Sequence, residues 1–429
     1  MSAELFNNFL KTKYDNGKIP RQLFEEFPTL ARVPKRSDGG GDYFTTAVIT
    51  GRPQGLGATL ALAQSGYTNA NANQNVKGKK WIVPWGQYSA SVMIEDFDIK
   101  RSRSNELAFI NQLDEQIDEL HKGFLEYMSI LLFAEPGRYL AHATTPASGG
   151  VIVLDNASDV VKFAVGQQLQ ISVNDGSDTS HVIVSGSAIG YVIAVNSNDG
   201  TVTVAATATG TTGGLPTNWA TSTAYYLFHS GDFGGDTAPA TIFQGFGSWI
   251  PAADPGATAF NNVVRTANIA ALSGFRLTSA QVVGLSIRQR ITKLITILNS
   301  RGTTPGVTDV ILNPEKWQTF ADELQAQGYR PLDGKGFTVN TSSIQVAIGG
   351  KMIDIVSDRH CPIGTCFALT MPKDGSNIVL ASVDEFPHVI NEDGLMMVRQ
   401  STANTYEHRL QVYPAMAIKA PGWCGRVPV

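Results

Sequence analysis

Charge is scarce in this chain. Only 16% of its 429 residues are Asp, Glu, Lys or Arg, against roughly 25% in ordinary soluble domains. A chain so short of charge has little obligatory solvated surface, and we expect much of it to be covered by neighbouring subunits. Cysteine is scarcer still, limited to Cys361, Cys366 and Cys424. An odd, sparse count gives no disulfide framework and fits synthesis in a reducing compartment. Long apolar runs are also missing. The opening "MSAELFNNFLKTKYDNGK" has no apolar core of signal-peptide length, and no run approaches a membrane span. A net charge of −4 excludes a globally basic, nucleic-acid-binding surface.

Catalytic signatures are equally thin. "GRPQGLGATL" is glycine-rich but lacks the P-loop lysine and the last glycine of GxGxxG, so it reads as a flexible turn. The seven histidines are dispersed, and no HExxH or i, i+4 pair occurs. "RHCPIGTC" with Cys424 spaces its thiols wider than the commonest zinc pattern, so a turn with small buried cysteines is the better reading. The acidic pairs Asp96/Asp98 and Asp384/Glu385 read as solvated loop residues. We therefore expect no enzyme, no cofactor and no metal site.

What the chain does contain is a sharp composition break. Between Arg138 and Arg265 the only basic residue is Lys162, against eight aspartates: Asp155, Asp159, Asp175, Asp178, Asp199, Asp232, Asp236 and Asp254. That interval carries −7 and the rest of the chain +3. Such a shift marks a separate module. Inside it, short Val/Ile-rich runs such as "VIVLDN", "YVIAV" and "TVTVA" alternate with Gly and Thr, and Asp199-Gly200 reads as a type I′ hairpin turn. Residues 150–230 are thus expected to form a small β-sandwich or barrel set into a host fold. Its aromatics Tyr191, Trp219, Tyr225 and Tyr226 could stack on sugars, though hairpin packing explains them as well.

The host is α+β. A helix is expected over 105–135, capped by Ser104 or Asn105, with Leu113, Ile117, Leu120, Phe124, Met128 and Leu131 along one stripe. A second helix is expected from Thr278 or Ser279 to a stop at Gly302. A strand then runs into Asn313-Pro314 and a short helix, and the tail is rich in strand runs. The first 40 residues, with Lys11, Lys13, Lys18, Arg21, Arg32, Lys35 and Arg36, read as an arm that gains order only by lying on something else. In "NANANQNVKGKKWIVPWGQYS", Trp81, Val83 and Trp85 share one strand face. Past Pro84 and Gly86 the apolar set moves to Tyr88, Ala90, Val92 and Ile94, a switch that predicts a bulge or bend.

This order of parts resembles the tailed-bacteriophage major capsid proteins, the Hong Kong ninety-seven fold shared with encapsulin compartments. The resemblance covers about 1–145 and 240–429. It implies an N-terminal arm (1–40), an extended loop that overlaps a neighbouring subunit (41–100), a spine helix with peripheral domain (101–145), an inserted β domain (146–237), a mainly axial domain (238–370) and C-terminal strands completing both domains (371–429). It implies self-assembly into hexamers and pentamers of an icosahedral virion shell around double-stranded DNA, built in a host cytoplasm. A portal, a separate scaffolding protein and a decoration protein are the further partners, with no membrane. The arm is too short to include a scaffold region. On this reading Lys77, Lys79, Lys80, Trp81 and Trp85 are inter-subunit contacts. Some relatives crosslink a loop lysine to a neighbour's asparagine, but the plainer role of lysines at a strand edge is to deter aggregation. The competing readings are an encapsulin-like compartment and a virion-surface, carbohydrate-binding adhesin.

Overall fold

The computed structural model describes residues 27–53, 58–59, 76–97, 100, 112–135, 139–143, 145–173, 175, 189–217, 219, 225–232, 243–301, 306–326, 343–348, 351–383, 388–389, 397–400 and 403–429. Residues 69–75 of the expected extended loop, the first part of the arm and the caps at Ser104, Asn105 and Gly302 lie outside these residues.

The arm departs from expectation. Residues 27–38 dock on their own chain, because "FPTLARVPKR" puts two apolar residues and a cation into one compact turn. Helix α1 (Pro28–Arg32) buries Thr29 and Leu30, and strand β1 (Lys35–Arg36) adds in parallel to strand Ile378–Ser382. Arg32 bridges Asp309 at 2.7 Å and Asp354 at 2.8 Å. Burial pushes the Asp309 carboxyl up, while hydrogen bonds from Thr308 and Arg32 pull it back. Buried Asp358 accepts the backbone N–H of Thr29 at 3.3 Å and that of His360 at 2.9 Å.

Two strands follow as a ribbon, β2 (Tyr43–Gly51) and β3 (Lys77–Pro84). Strand β4 (Tyr88–Glu95) leaves that ribbon and pairs along its whole length with Thr405–Val412. Helix α2 (Gln112–Leu132) spans about 31 Å at 1.5 Å per residue. The second half of the stripe is buried at Phe124, Met128 and Leu131, while Ile117 and Leu120 are partly buried. From Tyr127 to Phe133, however, every residue is buried, so the helix end is enclosed rather than laid on a surface. Gly245 crosses that end closely. A Cβ there would stand 2.2 Å from the Leu131 carbonyl oxygen, which excludes any other residue.

The acidic module is a closed barrel. Its strand order starts at Ala141–Ala143, passes through Tyr225–His229, Gln168–Ser172, Gly190–Asn196, Thr201–Ala205 and Val151–Val153, and ends at Thr145–Ser148. The first and last members are one residue apart in the chain, so the sheet returns on itself. Ile152, Leu169, Ile171, Val192, Val202, Val204 and Leu227 fill its interior. The expected boundary at 146 therefore falls inside a barrel strand. The hairpin at Asp199-Gly200 forms, but through a four-residue loop, with Asn196 opposite Thr201 and Gly200 at φ +65°. The barrel's apolar interior is continuous with that around α2.

The third body is a six-stranded mixed sheet, in the order Phe275–Arg276, Gly425–Pro428, Thr365–Leu369, Asp309–Leu312, Lys351–Ser357, Ser343–Ile348. Helices Ile287–Ser300 and Pro314–Ala326 share a second apolar core with it, around Ile291, Leu294, Phe320 and Ile353. Asn313 caps the latter helix by accepting from the Glu315 N–H at 3.1 Å. The former starts later than expected. Thr278 and Gln281 make a capping box, but only a short turn over Ser279–Val282 follows. Gly284 at φ +72° breaks the chain, and Ser286 with Gln289 caps anew. Glu323 adds to this cap, accepting from the N–H groups of Ile287 and Arg288.

Arg32→Met should leave Asp309 and Asp354 without their shared cation. Because Arg32 and Asp354 are about one-third exposed and Asp309 is nearly covered, we expect a loss of about 1–2 kcal/mol, with faster proteolysis within 27–38. An unchanged urea midpoint would show that this bridge does not hold the arm.

Candidate functional site

The ribbon has a rooted half and a free half. Pairing runs from Tyr43 opposite Pro84 to Gly51 opposite Lys77, with one irregularity between Ile49 and Gly51. The first four residues of β3, Lys77–Lys80, are exposed, and Trp81 and Val83 are buried. At the free end Ile49 is 74% and Val76 57% exposed. Among the described residues no third strand joins either edge of the pair.

The root is aromatic. Trp81 is 0% exposed. Its ring meets Trp249 edge-on at 5.1 Å and Phe260 at 6.4 Å, and its Nε1–H donates to the Lys419 carbonyl at 3.3 Å. Arg265 lies over Phe260 at 4.1 Å and donates to the Ser248 carbonyl. Burial, with nearby Arg276, pulls its guanidinium down to about 10. Asn261 and Asn262, at φ +47° and +69°, form the tight turn of hairpin Ala259–Val264, and the Asn261 carbonyl accepts the Ile82 N–H at 3.1 Å. Asn tolerates positive φ better than most residues, so the Asn-Asn pair is the sequence signal for this turn.

Expectation and structure part company at Trp81. The sequence predicts a side chain held out for a neighbour; burial against Trp249 and Phe260 of its own chain makes it instead the anchor of the ribbon. Trp85 is half-buried beside it. Its Nε1–H donates to the Gly41 carbonyl at 2.8 Å, and its ring meets Phe44 at 6.0 Å. Gly39 passes so near that a Cβ would stand 2.5 Å from the Trp85 ring. Lys77, Lys79 and Lys80 remain on the exposed stretch. The expected bend is present. The ladder stops at Pro84, the Gly86 N–H turns to the Pro414 carbonyl at 2.8 Å, and the inward set then moves to even positions, with Ile94 buried.

The site offers contact chemistry: backbone edges that no other described strand pairs, two exposed aliphatic side chains and three ammonium groups. Elsewhere, Trp219 and Tyr225 are 4% and 1% exposed inside the barrel. Tyr226 meets Tyr139 edge-on at 4.9 Å and lies tilted against His142 at 4.3 Å. The sugar-stacking reading therefore loses two of its four aromatics to the barrel core. Cys361, Cys366 and Cys424 are free and buried. Burial raises all three thiols, Cys424 to about 11. Among the described residues no cluster of three or more His, Cys, Asp or Glu could hold a metal. No described helix is long and apolar enough to cross a membrane.

No family model and no curated protein matches this chain. Among solved structures, it is similar to the capsid of cyanophage A-1(L), at 12% identity and TM-score 0.48, covering 100% of this chain and 99% of that one. It is also similar to the capsid of Myoviridae phage XM1, at 10% identity and TM-score 0.45, covering 98% and 97%. A third is the holo-SrpI encapsulin of Synechococcus elongatus PCC 7942, at 9% identity and TM-score 0.44, covering 99% and 94%.

Trp81→Ala should remove a buried anchor and destabilise the chain by roughly 3–5 kcal/mol. Trp85→Ala should lose only about 1–2 kcal/mol. Chemical denaturation of both variants checks the order; equal small losses would contradict the anchoring role of Trp81.

Proposed function

We propose that this chain is the repeating subunit of an icosahedral shell that encloses a double-stranded DNA phage genome, a major capsid protein. The observation that carries the reading is the half-rooted ribbon. Its base is locked by Trp81 and Val83, while its outer half presents Ile49, Val76 and two edges that no other described strand pairs. An isolated two-stranded ribbon is marginal in water, and exposed edges invite pairing with another chain. A surface projecting from one face that fits a different face of a copy makes head-to-tail contacts, and these close into rings and shells. The low charge of the chain fits a surface largely covered by its copies.

On this reading Ile49, Val76, Lys77, Lys79 and Lys80 meet the neighbouring subunit, and Trp81 and Trp85 hold the ribbon at the angle that lets them. Helix α2 is the spine, the six-stranded sheet with its two helices the axial domain, and the barrel a surface domain. The +3 body would face DNA and the −7 interval would lie outside. Hexamers and pentamers, a scaffolding protein, a portal and a decoration protein complete the partners.

Electron microscopy of the purified protein tests this directly, and uniform icosahedral shells are expected. The double variant Ile49→Asp/Val76→Asp should keep the wild-type melting temperature and circular dichroism yet assemble at least tenfold less. Shells that form normally from it would remove the ribbon from the assembly contact. Small oligomers only, from wild type, would overturn the shell reading. A protein cargo in place of DNA would favour a compartment of the encapsulin kind. Finding the barrel on the inner surface would overturn the charge orientation.

A further inference from the structure

Three arginines grip one short stretch of chain. Arg265 donates to the Ser248 carbonyl at 3.0 Å, Arg426 to the Ile250 carbonyl at 3.2 Å and Arg276 to the Ala253 carbonyl at 2.8 Å. All three are sunk in the protein. Arg265 is 7% and Arg426 8% exposed, and the Arg276 side chain is 9% exposed. Arg426 is well supplied, with Glu135 and the Thr365 hydroxyl each at 3.2 Å. The other two are less so. Arg265 rests on its carbonyl and on the face of Phe260, and its buried Nε has no acceptor among the described residues. Arg276 also meets the carbonyl and hydroxyl of Ser273, yet its Nε is unpartnered too. Beside the same hairpin, Trp249 Nε1 and Asn261 Nδ2 are further buried donors without acceptors.

Arg276 shows what kind of group belongs here. Its Nη1 holds the Asp254 carboxylate at 2.5 Å, although the Asp254 side chain is 73% exposed. The loop that carries it is open to solvent, with residues 252–254 and 256–258 all exposed. A negative oxygen therefore already sits at the mouth of the cluster. Its own side chain gains little from that single exposed contact. We propose that Arg276 and Arg265 form an oxyanion site, in which a phosphate-class anion takes the place of the Asp254 carboxylate. Such an anion brings more oxygens and more charge than one carboxylate, and guanidinium forks match its geometry. Arg276 stands close enough to add to burial in pulling the Arg265 guanidinium down, so one anion serves both cations. Burial also lowers Arg276, and Asp254 only partly offsets it. Ordered water would satisfy Trp249 and Asn261, which are neutral, but it supplies no counter-charge to buried guanidiniums. The site lies within one chain and stands whether or not the shell reading holds.

Calorimetric titration of the full chain with inorganic phosphate at pH 7.5, with ionic strength held constant by sodium chloride, tests it. Saturable binding is expected. Asp254→Asn removes the competing carboxylate from an exposed position, so it should lower the half-saturating phosphate concentration by about tenfold. Arg276→Gln should abolish the binding; if that variant does not fold, Asp254→Asn decides. Phosphate held elsewhere, for instance by the ribbon lysines, would bind Asp254→Asn and wild type alike. That result, or no saturable binding in either protein, would overturn the proposal.

Discussion

The structure turns on the burial of Trp81. Two strands joined only to each other gain too little from their own ladder to hold a fixed direction in water. Here one end of the ladder is fastened by an indole enclosed between Trp249, Phe260 and the backbone at Lys419. The aromatic enclosure contributes area and edge-to-face geometry, and the hydrogen bond fixes which way the ring lies. With the root fixed, the far half can remain exposed without dragging the strand into alternative registers. The same fastening explains the break at Pro84–Gly86. The chain cannot serve the ribbon and the β4 sheet in one register, so it gives up three residues of pairing and reverses which parity faces inward.

Much of this was legible in the sequence because it is written in local periods. Alternation of two predicted β3 and β4 and their change of phase. Spacing of three and four predicted the stripe on α2, and Asn313-Pro314 predicted a strand that runs into a helix. What could not be read was ownership. Apolar alternation says that Trp81 is buried, but not whether its own chain or another buries it. The docking of residues 27–38 on their own chain is illegible for the same reason. Leu30, Val33 and Arg32 are unremarkable until Asp309, Asp354 and Asp358, some 280–330 positions away, are brought beneath them. The choice between sandwich and barrel also stayed open, since it depends on Ala141–Ala143 pairing with Tyr225–His229 while Thr145–Ser148 pairs with Val151–Val153, a relation with no local period.

Charge shows the same division between local and long-range causes. The acidic interval is visible as a count, yet its electrostatics are softened once folded. Asp155 meets His142, Asp159 meets Lys162, and Asp232 is buried with its carboxyl raised toward the neutral form. The −7 formal charge therefore overstates the field the barrel projects. Lys162 also donates to the Leu140 carbonyl at 2.9 Å, on the strand that enters the barrel, so the interval's single cation ties its parts together and presents no basic surface.

That internal use of charge sharpens the contrast with the ribbon. In the barrel and at the arm, cations lie against carboxylates or carbonyls of the same chain. Lys77, Lys79 and Lys80 instead stand on an exposed strand, opposite Gly51, Val48 and Ala47. Across that ladder they face apolar or small residues, so the pairing itself gives them no counter-charge. Lysines at an open edge discourage indiscriminate pairing, because a second such edge would bring like charges together. A partner surface carrying carboxylates would be admitted where a second lysine-bearing edge is refused. On the proposed reading, the feature that keeps the ribbon from aggregating would thus also make its contact with a copy selective.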